Sequence, residues 1–489
     1  SFTAFAPTNE AMKDFYQRCG VDSLTQLSKD YAKAFVLYHT VGDSILPDVF
    51  VMKSYVKNLS SDKLNITIDT LKTGEAWLNN QGHIVQMGLS AYNGKIYVLS
   101  KAMTPLVETI YDRLSKAKNS KIMRQAVDAT GWKKQLSTIS DTTINKQREQ
   151  VVIKKYFTFL NVTDDVFAKN DINSLNDLKK KLKEQDVQGL SEDSLLREYV
   201  AYHILNNAYT IKAFCKMTGS GNIRIWNTSA KDQVFSITYD SLAHDESDKY
   251  IINSAGSKAR FIKEDSDLLA KNGYVQELDN WLPVSEPSQA RIVWDLADYA
   301  DIKNMVSSEY YQPSAPTASE YSCHIASAPC FTYEMGGSGT DNHSYGDIDY
   351  VTCKSNLSKT NNHDRVVFNV GYMGSVEMET PTIIRGKYKV ELTIVYLTDH
   401  NFMRQQTDGN GGLLKISFDN MDAMTTYTAP YTKVTSASPG VYTSTIFNEI
   451  EFSKTTSHTF KFVVLDPAAS TNSHFSLQID CITFIPIKD

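Results

Sequence analysis

Asp347 and Asp349 alternate along a segment that reads as a strand, so both carboxylates share one face, and Asp341 lies just upstream. Several oxygen ligands gathered at one edge are what a hard cation needs, and the chemistry they could do is to hold a structural Ca2+. Solvated loop carboxylates are the plainer alternative. Glu377 and Glu379 repeat the spacing and mimic the paired acids of a glycosidase, but no substrate cleft can be inferred around them. Met335-Gly336-Gly337-Ser338-Gly339 lacks the Lys-Ser/Thr that follows a phosphate loop and the spacing of a nucleophile elbow, so it reads as a plain loop.

Binding is better represented than bond cleavage. Tyr345, Tyr350, Tyr372, Phe402, Tyr427, Tyr431 and Tyr442 fall in the last third of the chain, with Arg404 and Asn472 in comparable segments. Sugar rings present C–H faces that stack on aromatic side chains, while Arg and Asn reach the hydroxyls. These are the candidate ligand-binding residues, and the alternative for each tyrosine is a place in a core or at a sheet edge. His39 and His203 each follow a tyrosine at the end of a helical pattern. Such a histidine can contact a partner, or it can donate to loop carbonyls and fix a turn.

The elements that position these residues fall into two regimes. Phe2-Thr3-Ala4-Phe5-Ala6-Pro7-Thr8-Asn9-Glu10 is a short strand running into a helix capped by Thr8, and Phe157-Thr158-Phe159-Leu160-Asn161-Val162-Thr163-Asp164-Asp165 is a degenerate copy in which Thr163 takes the capping place. In the first copy Leu24, Leu27, Tyr31, Phe35 and Tyr38 recur at helical spacing, Leu64, Ile66 and Ile68 alternate, and Asn93-Gly94 marks a hairpin before an apolar run. In the second, Leu175, Leu178 and Leu182 give a helix, as do Leu195 and Tyr199, and Phe235, Ile237 and Tyr239 alternate before Asn272-Gly273. The first half is therefore an internal repeat. Residues 107–132 supply front helices to the second copy that the first lacks, so the chain is expected to begin inside a unit, with any export signal or lipid-bearing cysteine upstream.

Beyond Pro283 a connector follows, with a helical pattern in Ile292, Leu296 and Tyr299 and a Pro/Ser/Ala-rich end. Alternating strands then dominate: Tyr388 to Ile394, Leu414 to Phe418, Phe460 to Val464 and Phe475 to Ile479, separated by Gly, Asn, Asp and Ser clusters. That pattern predicts an antiparallel sandwich. The fold class is α+β, with two α/β units followed by a jelly-roll-like β-sandwich. The boundaries are 1–106, 107–285, a connector at 286–319, and 320–489.

At 489 residues the chain needs several domains. Its net charge of -6, without a basic stripe, argues against nucleic acid as a partner, and no apolar run is long enough to span a bilayer. Cys323, Cys330, Cys353 and Cys481 permit a disulfide pair or buried thiols, and the paired C-x-x-C spacing of a zinc site is missing.

The F-x-x-F-A-P-T junction, the Tyr-His pairs and the Asn-Gly strand ending in Leu/Met-x-Pro together resemble the fasciclin domain, in two copies over residues 1–285. The family's usual closing-strand histidine is replaced, with Tyr97 and Gln276 near its place. Arg385-Gly386-Lys387-Tyr388, His458-Thr459-Phe460 and Ile479-Asp480-Cys481-Ile482 are similar to galactose-binding-like jelly rolls, a group that includes many carbohydrate-binding modules. The combination resembles fasciclin-domain surface lipoproteins of Bacteroidetes associated with SusC/SusD-type nutrient importers. That resemblance implies a non-enzymatic accessory protein on the outer face of the outer membrane, held by a lipid anchor outside this sequence. Its fasciclin units would dock on SusC/SusD-like proteins and its sandwich would bind polysaccharide or oligosaccharide. The alternative is an adhesin or matrix-type protein that binds other proteins or cells.

Overall fold

The computed structural model of the chain describes residues 1–69, 75–144, 148–216, 223–244, 248–336, 347–396, 413–425, 440–470 and 476–487. Two compact units are present, Ser1–Arg113 and Leu114–Asp489. Among the described residues no helix is long and apolar enough to cross a membrane.

The first unit runs β1 (Phe2–Pro7), α1 (Asn9–Arg18), α2 (Lys29–Tyr38), β2 (Thr40–Val41), α3 (Pro47–Val51), β3 (Tyr55–Lys57), β4 (Lys63–Asp69), β5 (Glu75–Leu78), β6 (Gly82–Ala91) and β7 (Gly94–Leu99). Its sheet has the order β2-β1-β7-β6-β5-β4-β3. The Thr8 hydroxyl accepts from the Ala11 amide at 3.2 Å and caps α1 as the sequence predicts. Phe5, Phe50 and Tyr97 meet in the core with ring centroids 4.9–6.1 Å apart. Each such buried ring contributes roughly 1.5–3 kcal/mol.

Helix α4 (Ile110–Lys116) spans the boundary, and the second unit continues with α5 (Lys121–Ala129), α6 (Trp132–Leu136), a hairpin of β8 (Ser140–Ile144) and β9 (Gln150–Lys154), and β10 (Phe157–Asn161). The copy continues with α7 (Asp164–Ala168), α8 (Leu175–Glu184), α9 (Glu192–Tyr202), β11 (Ile204–Leu205), α10 (Ile211–Phe214), β12 (Ile223–Asn227), β13 (Val234–Tyr239), β14 (Tyr250–Ile252), β15 (Leu268–Ala270) and β16 (Gly273–Glu277). Its sheets are ordered β11-β10-β16-β15 and β12-β13-β14.

The repeat is visible in the pairing. β1 pairs parallel with β7 and β10 with β16, with Phe2 opposite Gly94 and Phe157 opposite Gly273. A Cβ on Gly94 would sit 1.9 Å from the Phe2 carbonyl oxygen, and one on Gly273 would sit 1.7 Å from that of Phe157. The Asn-Gly pairs thus close hairpins and also let a parallel strand approach. Thr163 departs from its predicted role, since it makes no side-chain cap bond. The adjacent Asp164 instead accepts from the Lys121 and Ile122 amides at 3.0 and 2.9 Å and caps α5, where a carboxylate meets the positive end of the helix dipole.

A sandwich completes the second unit: β17 (Ile292–Asp295), α11 (Ala300–Met305), β18 (Ser322–His324), β19 (Thr332–Glu334), β20 (Asp347–Thr352), β21 (Asp364–Asn369), β22 (Ser375–Glu379), β23 (Gly386–Tyr396), β24 (Leu414–Phe418), β25 (Met421–Thr425), β26 (Gly440–Phe452), β27 (Thr459–Val464) and β28 (Leu477–Pro486). One sheet is ordered β18-β20-β21-β28-β23-β26 with β17 added to β28, and the other β19-β22-β27-β24-β25. Trp294, Phe368, Tyr388, Phe418, Phe462 and Phe484 help fill the layer between them. The helical pattern read at Ile292, Leu296 and Tyr299 is not what forms. Ile292–Asp295 pairs with the end of β28, and the helix starts only at Ala300. Four extended residues next to an open sheet edge gain ladder hydrogen bonds that outweigh a weak helical period.

Candidate functional site

The two Tyr-His junctions are built alike. Tyr38 and Tyr202 are buried at the ends of α2 and α9, and their hydroxyls accept from Asn79 at 3.2 Å and Asn253 at 2.9 Å. Both asparagines are left-handed, with φ of 50° and 49°, a conformation Asn tolerates better than most residues. His39 is buried; its Nδ1 lies 2.9 Å from the Phe35 carbonyl and its Nε2 accepts from the Met103 amide at 3.1 Å. That pair of partners fixes the neutral Nδ1–H tautomer, and burial pushes the pKa down to about 4. His203 is fully enclosed, with Nδ1 2.7 Å from the Leu160 carbonyl and Nε2 3.0 Å from that of Leu282. Burial likewise lowers its pKa to about 4, so it donates to one carbonyl at a time. His39 therefore ties the segment at Met103 to α2, His203 sits between β10 and the segment at Leu282, and both are buried inside their units rather than presented to a partner.

Tyr97 in β7 and Gln276 in β16 take one job. Tyr97 Oη donates to the Ile45 carbonyl at 3.0 Å, and Gln276 Nε2 to that of Tyr209 at 2.9 Å. Thr3 and Thr158 bridge the same loops, donating to Asp43 and Asn207 and accepting from Ile45 and Tyr209.

In the sandwich the predicted ligand residues separate. Tyr345, Phe402, Arg404, Tyr427, Tyr431, Asn472 and Asp341 lie outside the described residues, as does the side chain of Asp347. Tyr350 is corrected: it is fully buried, donates to the Tyr310 carbonyl at 2.8 Å and accepts from the Gln312 amide at 2.8 Å, so it has no face for a sugar. An even period in β20 turns its ring inward. Tyr372 is half-buried against the core. Asp349 is 3.1 Å from His324 on the neighbouring strand. Among the described residues no group of three or more His, Cys, Asp or Glu is arranged to hold a metal ion. Glu377 pairs with Lys461 at 2.7 Å and Glu379 accepts from Thr459 at 3.0 Å, both across β22 and β27, as on an ordinary sheet face. None of the six cysteines forms a disulfide.

Three acids that the sequence reading passed over lie together under the sandwich edge. Asp295 ends β17, Asp364 opens β21 and Asp480 sits inside β28, all at most 5% exposed. Asp295 accepts from the Ala297 amide at 2.9 Å and from Asn362 Nδ2 at 2.6 Å, and Asp480 from the Asn361 amide at 2.9 Å. Among the described residues neither oxygen of Asp364 has a hydrogen-bond partner. In the loop that bonds to Asp295 and Asp480, Asn362 and His363 are left-handed at φ 46° and 54°. Burial raises all three carboxyls: Asp295 to about 7, with Asp298 adding repulsion, and Asp364 and Asp480 well above the carboxylate range, with Asp295 adding repulsion to both. Like charges this close cannot all ionise, so protons balance the cluster. An acid in an otherwise apolar strand such as Ile479-Asp480-Cys481-Ile482 was the available signal.

Asp295 also borders a cleft of about 380 Å3 between β12 and the sandwich. Arg224, Arg291, Asp298, Tyr299, Glu379 and Thr380 line it. The Arg224 guanidinium lies 4.2 Å from the Trp226 ring centroid and donates to the Lys216 carbonyl at 2.8 Å. Across the seam Thr382 Oγ1 donates to Asn227 at 2.5 Å. Guanidinium, carboxylate, hydroxyl and aromatic groups thus converge in one recess. Such groups can orient a polyhydroxylated ligand.

The fasciclin domain family matches residues 1–105, and a domain of unknown function, DUF5108, matches residues 323–487. No curated protein matches the chain. A fasciclin domain pair from the insect cell adhesion molecule fasciclin I is similar at 14% identity and a TM-score of 0.28, over 57% of this chain and 88% of that one. A family 35 carbohydrate binding module from Clostridium thermocellum is similar at 12% identity and a TM-score of 0.16, over 35% of this chain and all of that one. TM-scores this low leave the fold to be read from the strand pairing above. The chain therefore joins a fasciclin-domain match at its N-terminal end to a β-sandwich that matches a family of unknown function at its C-terminal end.

Proposed function

We propose that this chain is a non-enzymatic, surface-exposed accessory lipoprotein of a SusC/SusD-type outer-membrane importer, docking through its fasciclin-like units and binding glycan through the sandwich. The observation that carries the glycan half is the cleft beside β12, where charged, hydroxyl and aromatic side chains meet in a recess of sugar size. Capture there would raise the local ligand concentration at the importer. Tyr345, Phe402, Arg404, Tyr427, Tyr431 and Asn472 belong to the same proposal as loop contacts. A structural Ca2+ at Asp341 and Asp347, beside Asp349, belongs to it as well. The lipid anchor and outer-face location rest on the resemblance alone.

Two experiments test the reading. Isolation from native membranes in mild detergent should recover a SusC-like barrel and a SusD-like protein in stoichiometric amounts, and recovery of the chain alone would sink the docking half. A glycan array should give a ligand whose affinity falls about tenfold in Arg291→Ala and Asp298→Ala, both exposed and on the cleft wall. Unchanged binding would move the ligand away from the cleft. Adhesion is the second reading, favoured by exposed apolar side chains at Leu46, Val49, Val51 and Met52 around α3.

A further inference from the structure

The β8–β9 hairpin is a two-stranded sheet that no third strand joins among the described residues. Every residue of both strands is exposed except half-buried Lys154. Ile144 and Val152 lie on one face at 68% and 65% exposure, and Val151 and Ile153 on the other at 37% and 50%. β-Branched residues on both faces are the composition of a strand covered on both sides, and an isolated hairpin in water is marginal. Among the described residues neither outer edge is paired with a further strand, and an unpaired strand edge is a template for one.

The charge around the hairpin is opposite to that of the chain. Lys133 and Lys134 precede it, and its described strands and their flanks carry Arg148, Lys154 and Lys155 against Asp141 and Glu149, in a chain of net charge -6. Asp141 is already paired with Lys155 at 3.0 Å. A groove of about 740 Å3 at the base of the hairpin is lined by Lys134, Lys154, Lys155 and Tyr156. Aliphatic side chains rather than flat aromatic platforms dominate the strands, which suits a polypeptide better than a sugar.

We propose that the β8–β9 hairpin is a docking arm that takes an extended, acidic segment of a partner protein as a third strand. Main-chain bonds to the open edge would supply affinity, the β-branched rows would take alternate apolar side chains, and the lysines would select carboxylates between them. This goes beyond the glycan reading and does not depend on which assembly the chain joins.

The test uses the full chain and fluorescence anisotropy with synthetic alternating Val/Glu and Val/Lys peptides. The Val/Glu peptide should bind at least about tenfold tighter than the Val/Lys peptide, and the preference should shrink about tenfold in the Lys154→Glu, Lys155→Glu double variant. Val152→Pro, which breaks β9 at an exposed position, should abolish binding while circular dichroism stays unchanged. Equal binding of both peptides, binding that survives Val152→Pro, or no binding to either would overturn the proposal. So would a concentration-dependent dimer abolished by Val152→Pro in sedimentation, because a second copy would then be the occupant.

Discussion

Asp295→Asn should flatten the pH dependence of sandwich stability. The Asp295 carboxyl titrates at about 7 in the folded protein against an ordinary 3.8, because it is fully enclosed. Between those values the unfolded chain has lost the proton and the native sandwich still holds it. The native state then binds more protons, so stability falls as pH rises through the window. At about 1.36 kcal/mol per pH unit the loss from Asp295 amounts to roughly 4 kcal/mol, complete by about pH 7 and fully avoided below pH 3.8. Asp364 and Asp480, also raised well above the carboxylate range by burial, add to the fall in the same direction. An Asn at 295 accepts from the Ala297 amide as before, and Asn362 turns its amide to accept from the new NH2. Hydrogen exchange of the β17 and β28 peptides, corrected for intrinsic rate, reads the opening free energy of this edge. From pH 4 to pH 8 the wild type should lose several kcal/mol of protection, and Asp295→Asn should lose clearly less while matching wild type near pH 4. A flat wild-type profile would refute the reasoning. So would an increase of several kcal/mol on adding Ca2+ at pH 8, because a cation rather than protons would then balance the three acids.

The first unit should show the opposite slope. His39 titrates at about 4 against 6.5, so its contribution is present above pH 6.5 and lost as pH falls to 4, a change of roughly 3 kcal/mol readable in exchange of α2; a flat profile would exclude the buried neutral ring. Gly273→Ala places a methyl 1.7 Å from the Phe157 oxygen and should cost roughly 3 kcal/mol or more by thermal melting, with exchange loss concentrated in β10. An unshifted melt would mean that β10 and β16 do not pair in this register. Arg365 is buried and donates to Gln478 at 2.6 Å and Glu320 at 3.1 Å, so Arg365→Met should destabilise the sandwich by about 3–5 kcal/mol in denaturant titration. A loss below about 1 kcal/mol would show that Glu320 and Gln478 find water instead.

The sequence alone determined the repeat, the strand–helix junctions and the sandwich, because each is written in local periodicity. Alternation in β4, β13, β23, β24 and β27, and the Thr8 cap, need only neighbours a few residues away. It also placed the Tyr-His pairs at helix ends, but not the left-handed asparagines that bind the tyrosines from 41 and 51 residues further on. What long-range pairing decides stayed hidden. Tyr350 looked like a loop aromatic until the register of β20 turned it inward, and Ile292–Asp295 looked helical until the edge of β28 claimed it. Asp295, Asp364 and Asp480 lie far apart along the chain and become one problem only when β17, β21 and β28 converge. Their chemistry is a property of shared burial: a carboxylate's charge is set by what surrounds it, and only the tertiary structure decides which groups those are.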